Sequence, residues 1–381
     1  MSQRYDVAVV GAGVFGAWTA WHLRRRGLSV ALVDAHGPGH SRASSGGETR
    51  VIRMGYGSHE IYTRWSVRSL DLWKELSART RDRLFRETGV LWMARESDPL
   101  SVSTLETLQR VGVAHERVDR GELERRWPQI DFGPIPWALY EPGSGVLMAR
   151  RAVQRVVSDA IEAGVQYMRA AVAPPRANGR LETIDASGTA LSAEAFVFAC
   201  GPWLPRMFPD VLGGRIFATR QEVFYFGTRP GDVSFAPPAM PVWIDFIDEF
   251  YALPDLEGKG LKFGLDRHGP AIDVDRDDRL ISPETFAVIR DLVGRRLPAL
   301  RDAPIVGTEV CAYENTSNGD FVIDRHPGLP NVWLVGGGSG HGFKHGPALG
   351  EHVAARVGHE GETEARFSLA TKGSEKRRAI Y

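Results

Sequence analysis

Hydrophobic positions near the start of the chain form two short apolar runs with a helical pattern between them. The runs "DVAVV" and "SVALVD" have the composition of buried parallel strands. Between them Ala17, Ala20 and Leu23 recur at helical spacing, and Gly27 stands where a glycine commonly ends a helix. This pattern predicts a compact βαβ unit.

The rest of the chain alternates between helical and strand-like segments. Helices are predicted at about 58–78 and 98–110, and a further helix at 283 follows Ser282 as its N-cap. The segments "FVFAC", "RQEVFYFG", "PVWIDF" and "EFYALP" have strand patterns, and "NVWLVG" supplies a last apolar strand before a glycine-dense loop. One nucleotide-binding sheet is therefore expected to draw its strands from both ends and the middle of the chain.

We predict a mixed α/β (α+β) fold with two domains, because 381 residues exceed the usual size of a single core. One is a Rossmann-like dinucleotide domain, and the other is a mixed-sheet substrate domain. The predicted ranges are 1–80, 145–215 and 317–381 for the first, and 81–144 and 216–316 for the second.

Composition narrows the classes of protein that need to be considered. Lys plus Arg and Asp plus Glu both number 47, so the chain lacks the basic balance of a nucleic-acid binder. No apolar run is long enough to predict a membrane span, and the first residues leave no room for a signal peptide. Two cysteines are too few for a disulfide framework. A cytoplasmic protein without a metal site is the resulting expectation.

The turn after the first strand carries the strongest local motif. Gly11, Gly13 and Gly16 form G-x-G-x-x-G between strand and helix, and Asp34 ends the second strand. In such a unit the glycines permit a tight turn, backbone approach to a pyrophosphate and close helix packing. Asp34 would accept hydrogen bonds from ribose hydroxyls, which favours FAD or NAD over NADP. The departure from a continuous parallel sheet after Asp34 favours a flavoprotein.

Several blocks of sequence resemble one known family. The blocks are "VVGAGVFG", "GETRVIR.GYG", "FACGPW", "GLKFG", "VCAYENT" and "GGGSGHGFKHGP.LGE". Together, over about residues 4–357, the chain resembles the monomeric sarcosine oxidase family of FAD-dependent amine oxidases, within the D-amino-acid-oxidase-like superfamily. That family also includes N-methyltryptophan oxidase and pipecolate oxidase.

The resemblance implies FAD as cofactor, with the C-terminal glycine loop curled around the flavin ring. It also implies a thioether between Cys311 and the flavin; the alternative for this position is a small buried thiol that only packs in its strand. Beyond the motif glycines and Asp34, the matched cofactor positions are Ser44, Thr49, Arg50, Val172, Gly201, Gly338, Gly340, His341, Gly342, Phe343 and Lys344.

Matched positions also imply a substrate site. The resemblance gives Arg53 and Lys344 as ligands of a substrate carboxylate and Lys262 as the group that activates oxygen. It places Arg50 against the flavin face and Tyr251 in the substrate pocket. The spacing of Arg50 and Arg53 is also compatible with one face of a short helical turn.

Two positions depart from the family pattern. Gly46 and Asp266 stand where the family can carry histidines. The missing ring at Gly46 is expected to leave space for a substrate bulkier than sarcosine, unless Trp243 or Phe250 fills it. A carboxylate at Asp266 would favour a donor or cation on the substrate side chain.

The implied activity is oxidation of a secondary or N-methylated amino acid to an imine, followed by hydrolysis to a carbonyl and an amine. Oxygen would reoxidise the flavin to give hydrogen peroxide. The expected partners are a small amino acid substrate and oxygen, with the protein a monomer. Two alternatives remain open: a dehydrogenase that passes electrons to another acceptor, and a non-catalytic flavoprotein subunit.

Overall fold

The computed structural model describes residues 4–362 and 364–374, so both ends of the predicted first domain extend outside the described residues. The helices within these ranges are α1 Val14–Arg25, α2 Glu60–Thr80, α3 Pro99–Val111, α4 Arg120–Arg126, α5 Ala149–Glu162, α6 Leu204–Met207, α7 Pro209–Leu212, α8 Pro283–Arg296 and α9 Gly346–Val357.

The strands of the same ranges build three sheets. They are β1 Arg4–Val10, β2 Val30–Asp34, β3 Arg50–Ile52, β4 Phe85–Glu87, β5 Val90–Ala94, β6 Glu116–Asp119, β7 Trp137–Glu141, β8 Gly145–Leu147, β9 Gln166–Arg169, β10 Thr183–Ala186, β11 Thr189–Phe198, β12 Ile216–Phe226, β13 Val242–Asp245, β14 Phe250–Leu253, β15 Leu261–Leu265, β16 Ile305–Thr316, β17 Val322–His326 and β18 Leu329–Gly336.

The first sheet has the order β17-β18-β11-β1-β2-β9, with β10 paired to β11. Strands β18, β11, β1, β2 and β9 run parallel. Alternate residues of β1 enter different cores, since Val7 and Val9 pack on one face while Ala8 and Val10 pack on the other. Burial on both faces is the reason that the last four residues of this strand, Val7–Val10, are all apolar.

The second sheet has the order β16-β12-β15-β14-β13-β5-β7-β6 and is mostly antiparallel. One face packs on a separate apolar core that includes Trp243, Phe250 and Phe263. A small third sheet, β3-β8-β4, contains the segment that begins at Arg50. The mixed α/β fold predicted from the sequence is therefore confirmed.

Individual elements agree with the sequence pattern to different degrees. The predicted helices at about 58–78 and 98–110 are α2 and α3, and Ser282 caps α8 by accepting a hydrogen bond from the Thr285 amide (3.2 Å). The helical turn considered for Arg50 and Arg53 is wrong, because Arg50 begins β3 and pairs with Leu147. Among the described residues, no helix combines the length and apolarity needed to cross a membrane. The domain boundaries stay a prediction.

Candidate active site

The larger of two adjoining cavities, about 370 Å³, lies where neighbouring parallel strands of the first sheet end. Gly11 follows β1, Asp34 ends β2, Gly201 follows β11, and Gly338 follows β18 by two residues. The carboxyl ends of parallel strands are where open α/β sheets bind their ligands. Four strands that are distant in sequence thus deliver their ends to one cavity.

Two of the motif glycines are required by close backbone packing. A Cβ at Gly11, whose φ is +106°, would lie 2.3 Å from the Ala199 carbonyl oxygen. A Cβ at Gly16 would lie 1.9 Å from the carbonyl oxygen of Gly11, although Gly16 itself lines neither cavity. Gly13 differs, because its added Cβ would meet the Ser45 hydroxyl at 3.3 Å. Gly13 lines the cavity, so its bare backbone faces a ligand rather than the protein.

The start of α1 offers an anion site at this cavity. Gly13 is its N-cap, and within the described residues no side chain caps the helix and no acidic residue lies in its first turn. Its amide groups and its dipole therefore favour a phosphate. The Ser44 hydroxyl, which also lines the cavity, is buried and has no hydrogen-bond partner in the described part of the chain.

Asp34 lines the larger cavity at the end of β2 and is fixed by backbone amides. Its carboxylate accepts hydrogen bonds from the amides of Ala12 (2.7 Å), His36 (2.8 Å) and Gly37 (2.6 Å). A carboxylate has about four acceptor positions, so these amides leave capacity for a ribose hydroxyl. The glycine cradle, the uncapped helix and this acid together fit a dinucleotide such as FAD.

The C-terminal glycine loop forms another wall of the larger cavity, but its amides do not all point at a ligand. The Gly342 amide donates to the Gly338 carbonyl (2.8 Å). Gly340 has a φ of +78°, and a Cβ there would lie 2.5 Å from the Tyr313 ring. A Cβ at Gly342 would lie 2.7 Å from Phe15. Close packing by aromatic rings is thus one reason that this loop is rich in glycine.

The smaller cavity, about 80 Å³, lies on the eight-stranded sheet. Neighbouring strands place Cys311 opposite Gln221, Lys262 opposite Leu253, and Ile244 opposite Tyr251. Directly opposed residues of antiparallel strands share one face. Five strands thus contribute side chains to this cavity, and the described residues that line both cavities are Arg50, Tyr313, Gly340 and Phe343.

Arg53 reaches the smaller cavity from the loop after β3. It is 4% exposed, and its guanidinium donates to the Gly55 carbonyl. The loop itself is held by the buried Glu141 carboxylate, which accepts from the amides of Met54 (2.7 Å) and Gly55 (2.9 Å) and from the Trp92 indole (2.8 Å). Because this acid binds backbone amides, the loop keeps a fixed shape around the cation.

Two lysines add charge to the same cavity. Lys344 follows the glycine loop and is 4% exposed, and its ammonium donates to the His341 carbonyl (2.8 Å). Lys262, on β15, donates to the Thr49 carbonyl (2.9 Å) and contacts the Thr49 hydroxyl (3.4 Å). Burial, and then the charge of Arg50, lower the pKa of Lys262 to about 8.

Arg50 lies between the two cavities and beside the predicted flavin-linking thiol. It donates to the carbonyls of Thr49 (2.8 Å) and Ser44 (2.7 Å), and its Nη2 is 3.6 Å from Cys311 Sγ. Burial opposes the charge, but Cys311 and the neighbouring tyrosines outweigh it and raise the pKa of Arg50. A permanent cation therefore lies next to a free, buried thiol.

The remaining predicted substrate residues also line the smaller cavity. Burial, the first cause, raises the pKa of the Tyr251 hydroxyl above its usual value, so the phenol stays neutral. Asp266 is half-buried just after β15, and its amide donates to the Glu249 carbonyl (2.7 Å). Both side chains lie at this cavity rather than at the larger one.

The structure brings the predicted residues together in two groups. The larger cavity is lined by Gly11, Gly13, Asp34, Ser44, Arg50, Val172, Gly201, Gly338, Gly340, Gly342 and Phe343. The smaller cavity is lined by Thr49, Arg50, Arg53, Tyr251, Lys262, Asp266, Cys311, Gly340, His341, Phe343 and Lys344.

The expectation that Gly46 leaves space beside the flavin is wrong. Gly46 lines neither cavity, and a Cβ there would lie 1.8 Å from the His40 carbonyl oxygen. The rings proposed as fillers, Trp243 and Phe250, are fully buried in the core of the second sheet. Position 46 therefore gives no reason to expect a bulky substrate.

Several residues of the smaller cavity were not predicted from the sequence. Gln221, Val223, Ile244, Phe246 and Leu253 line the smaller cavity. All of them except Gln221 are apolar, and each lies in a strand or directly after one, so the sequence does not distinguish them from core residues. The sheet pairing that brings them together is visible only in three dimensions. Alternation along "RQEVFYFG" placed Gln221 and Val223 on one strand face, which was the only signal available for them.

Comparisons with known proteins agree with this architecture. A family model described as "FAD dependent oxidoreductase" matches residues 6–356. Monomeric sarcosine oxidase from Bacillus sp. (strain NS-129) is 31% identical over 377 residues, which cover 97% of this chain and 96% of that protein. N-methyl-L-tryptophan oxidase from Citrobacter koseri is 30% identical over 363 residues, covering 92% of this chain and 94% of that protein.

Solved structures share the fold at lower sequence identity. L-proline dehydrogenase from P. horikoshii superposes with a TM-score of 0.84 at 20% identity, covering 97% of this chain and 98% of that one. Glycine oxidase from Bacillus cereus has a TM-score of 0.78 at 18% identity, with the same coverage of both chains. At these identities the likeness establishes the fold alone.

Proposed function

The chain belongs to the FAD dependent oxidoreductase family, and from that membership we propose that it is an oxidase of a secondary or N-methylated amino acid. The products would be an imine, which water hydrolyses to a carbonyl and an amine, and hydrogen peroxide. One observation carries this proposal: the cavity lined by the glycine motif and Asp34 adjoins a small cavity that Arg50, Arg53, Lys262 and Lys344 line.

The predicted cofactor residues that line the larger cavity would hold FAD there. The uncapped start of α1 and the backbone of Gly13 bind the pyrophosphate, and Asp34 accepts from the adenosine ribose. Bound FAD supplies the acceptor for the two electrons that leave the carbon next to the substrate nitrogen. We further propose the two-domain division given above, with this cavity in the first domain.

Cys311 is proposed to bind the flavin covalently. The thiol needs to react as a thiolate, and a fixed cation nearby stabilises that form. Arg50 supplies this cation 3.6 Å from Cys311 Sγ. The other cysteine, Cys200, is a poor alternative, because burial raises the pKa of its thiol far above the usual value.

Arg53 and Lys344 are proposed to bind the substrate carboxylate. A planar guanidinium pairs with both carboxylate oxygens, and an ammonium adds a second charge. Both cations are about 96% buried, since each is 4% exposed, so their attraction for an anion is weakly screened. A carboxylate would enter a site where the charges are already oriented.

The same cations favour the reactive form of the amine. Positive charges close to a bound ammonium disfavour it and lower its pKa. Arg50, Arg53, Lys262 and Lys344 therefore select the neutral amine, whose lone pair is needed before the adjacent C–H bond breaks. The proton can leave to solvent before binding, so no dedicated base is required among the cavity residues.

Lys262 is proposed to promote the reaction with oxygen. Its ammonium is held by Thr49 at the smaller cavity, where a fixed positive charge stabilises the anion formed when oxygen accepts an electron. We also propose that the enzyme acts as a monomer in the cytoplasm, where its two free cysteines would remain reduced.

The test is an anaerobic panel of amino acids added to the purified yellow protein. The proposal predicts that a secondary or N-methylated amino acid bleaches the flavin absorbance, and that air restores it with one peroxide released per turnover. Bleaching that only a quinone or protein acceptor reverses would indicate a dehydrogenase. Absence of bleaching with every amine and amino acid would indicate a non-catalytic flavoprotein.

A further inference from the structure

Tyr56 contacts both of the cations that are proposed to hold the substrate carboxylate. Its ring centroid is 4.2 Å from the Arg53 guanidinium carbon, and its hydroxyl accepts a hydrogen bond from the Lys344 ammonium (2.7 Å). Tyr56 is 1% exposed and lines neither cavity. We propose that Tyr56 is the positioning residue that joins Arg53 and Lys344 into one carboxylate clamp, an inference that rests on the proposed function.

The hydroxyl of Tyr56 is oriented by two histidines. It lies 2.8 Å from His345 Nε2 and 3.2 Å from His341 Nδ1. His341 Nε2 lies 3.0 Å from the Gly319 carbonyl, which can only accept, so Nε2 carries the proton and Nδ1 is an acceptor. Tyr56 therefore donates to His341, and its oxygen lone pairs accept from Lys344 and His345.

This assignment also fixes which nitrogen of the buried His345 carries the proton. With Nε2 as the donor, its Nδ1 is a bare acceptor, and that atom has no partner within the described residues. Burial first, and then the charge of Lys344, keep the pKa of His345 well below its usual value. A neutral His345 leaves the two cations as the charged groups that face Tyr56 in this network.

Lys344 needs such support because its side chain is flexible. An ammonium on a four-carbon stem loses rotamer freedom when it is fixed. Tyr56 and the His341 carbonyl each accept from one of its N–H groups, which restricts the position of the ammonium at the smaller cavity. Removing the hydroxyl would leave the charge in the site but release its direction.

Arg53 is held by the face of the Tyr56 ring rather than by its hydroxyl. The rings of Trp92 (4.7 Å) and Phe246 (5.4 Å) also lie against this guanidinium. Stacking on aromatic faces is a favourable arrangement for arginine. The two ends of Tyr56 thus have separable effects: Tyr56→Phe affects Lys344, and Tyr56→Leu affects both cations.

The chain offers a matched control in Tyr62. This tyrosine packs 5.1 Å from Tyr56, but its hydroxyl donates to Asp320 (2.6 Å). Tyr62→Phe makes the same chemical change in the same buried cluster, but the hydroxyl that it removes is the one that donates to Asp320. A loss caused by general loosening of the cluster would affect both phenylalanine variants.

The experiment measures the dissociation constants of acetate and of neutral acetamide from the change that each causes in the flavin absorbance of the holoenzyme. We expect Tyr56→Phe to weaken acetate about tenfold, because a hydrogen bond to a charged group is lost. Tyr56→Leu should weaken acetate more, while acetamide changes little in either variant. In turnover by Tyr56→Phe, KM for the substrate should rise. The rate of flavin reduction at saturating substrate should stay within about twofold of the unmutated value.

Equal weakening of acetate and acetamide in Tyr56→Phe, or an equal effect in Tyr62→Phe, would overturn the inference. Arg53→Met separates this failure from failure of the proposed function. If Arg53→Met weakens acetate but Tyr56→Phe does not, the clamp exists without Tyr56. If Arg53→Met has no effect on acetate, the proposed carboxylate site itself is refuted, and the inference falls with it.

Discussion

The two cavities adjoin each other but are built from different parts of the chain. The larger cavity lies at the ends of parallel strands, with the motif residues Gly11, Gly13 and Asp34 within one βαβ unit. The smaller cavity is formed by side chains from five strands of the second sheet, together with Arg53 and Lys344 from remote loops. The larger cavity should therefore be sensitive to added atoms, and the smaller one to removed charges.

Gly16→Ala should have the largest effect on the larger cavity. Its new Cβ would lie 1.9 Å from the Gly11 carbonyl oxygen, so the turn that is proposed to bind the pyrophosphate must shift. We expect purified protein without bound FAD. Gly143→Ala is the control, since a Cβ there meets nothing within 4 Å. Normal flavin content in Gly16→Ala would contradict the close packing of this turn.

Arg53→Met should have the largest effect on the smaller cavity. Removal of one partner of a buried ion pair costs about 3–5 kcal/mol, so kcat/KM for an amino acid should fall on the order of a thousandfold. Arg125→Met, at an exposed arginine paired with Glu122, serves as the control. The methyl ester of the same substrate should lose much less. Equal losses for acid and ester would mean that Arg53 does not bind the carboxylate.

Lys262→Met tests whether the smaller cavity also serves oxygen. Reoxidation should slow on the order of a hundredfold, with flavin reduction nearly unchanged. Because the pKa of Lys262 is about 8, the ammonium is present below that pH and lost above it. Reoxidation by the unmutated protein should therefore slow as the pH rises through about 8, and Lys262→Met should lack this step. Stopped-flow measurement of both half-reactions would detect equal slowing, which would exclude this role.

Cys311→Ala, in the smaller cavity, tests whether the flavin is bound covalently. Acid-precipitated unmutated protein should keep its yellow colour, whereas Cys311→Ala should release flavin to the supernatant. Cys200→Ala is the matched control and should keep the colour, because the buried Cys200 thiol resists ionisation. A colourless pellet from the unmutated protein would show that the flavin is not covalently bound.

The smallest expected effect concerns substrate size. Gly46 adds no space to the smaller cavity, whose volume is about 80 Å³. Compact substrates should therefore fit best. We expect kcat/KM for sarcosine or proline to exceed that for N-methyltryptophan by about tenfold, because a bulky side chain overpacks the site. A higher value for N-methyltryptophan would require the smaller cavity to enlarge on binding.

The difference in how the two cavities are built also explains how much of each the sequence could predict. Gly11, Gly13 and Asp34 act within one local unit, so spacing alone indicated the larger cavity. Gly46 misled because the structural consequence of a glycine depends on its neighbour, here the His40 carbonyl. Tyr56 lies in the block "GETRVIR.GYG", but nothing local indicated its role, since its contacts with Lys344 and His345 join residues almost 290 positions apart. Long-range pairing of this kind is set by tertiary packing rather than by pattern.

The central claim is that flavin occupies the larger cavity while the substrate carboxylate lies between Arg53 and Lys344 in the smaller one. A crystal structure of the holoenzyme with acetate tests it most directly. The account predicts a flavin ring at the boundary formed by Arg50 and Tyr313, and acetate oxygens within hydrogen-bond distance of both Arg53 and Lys344. Acetate bound away from both cations, or a flavin ring outside that boundary, would contradict the account.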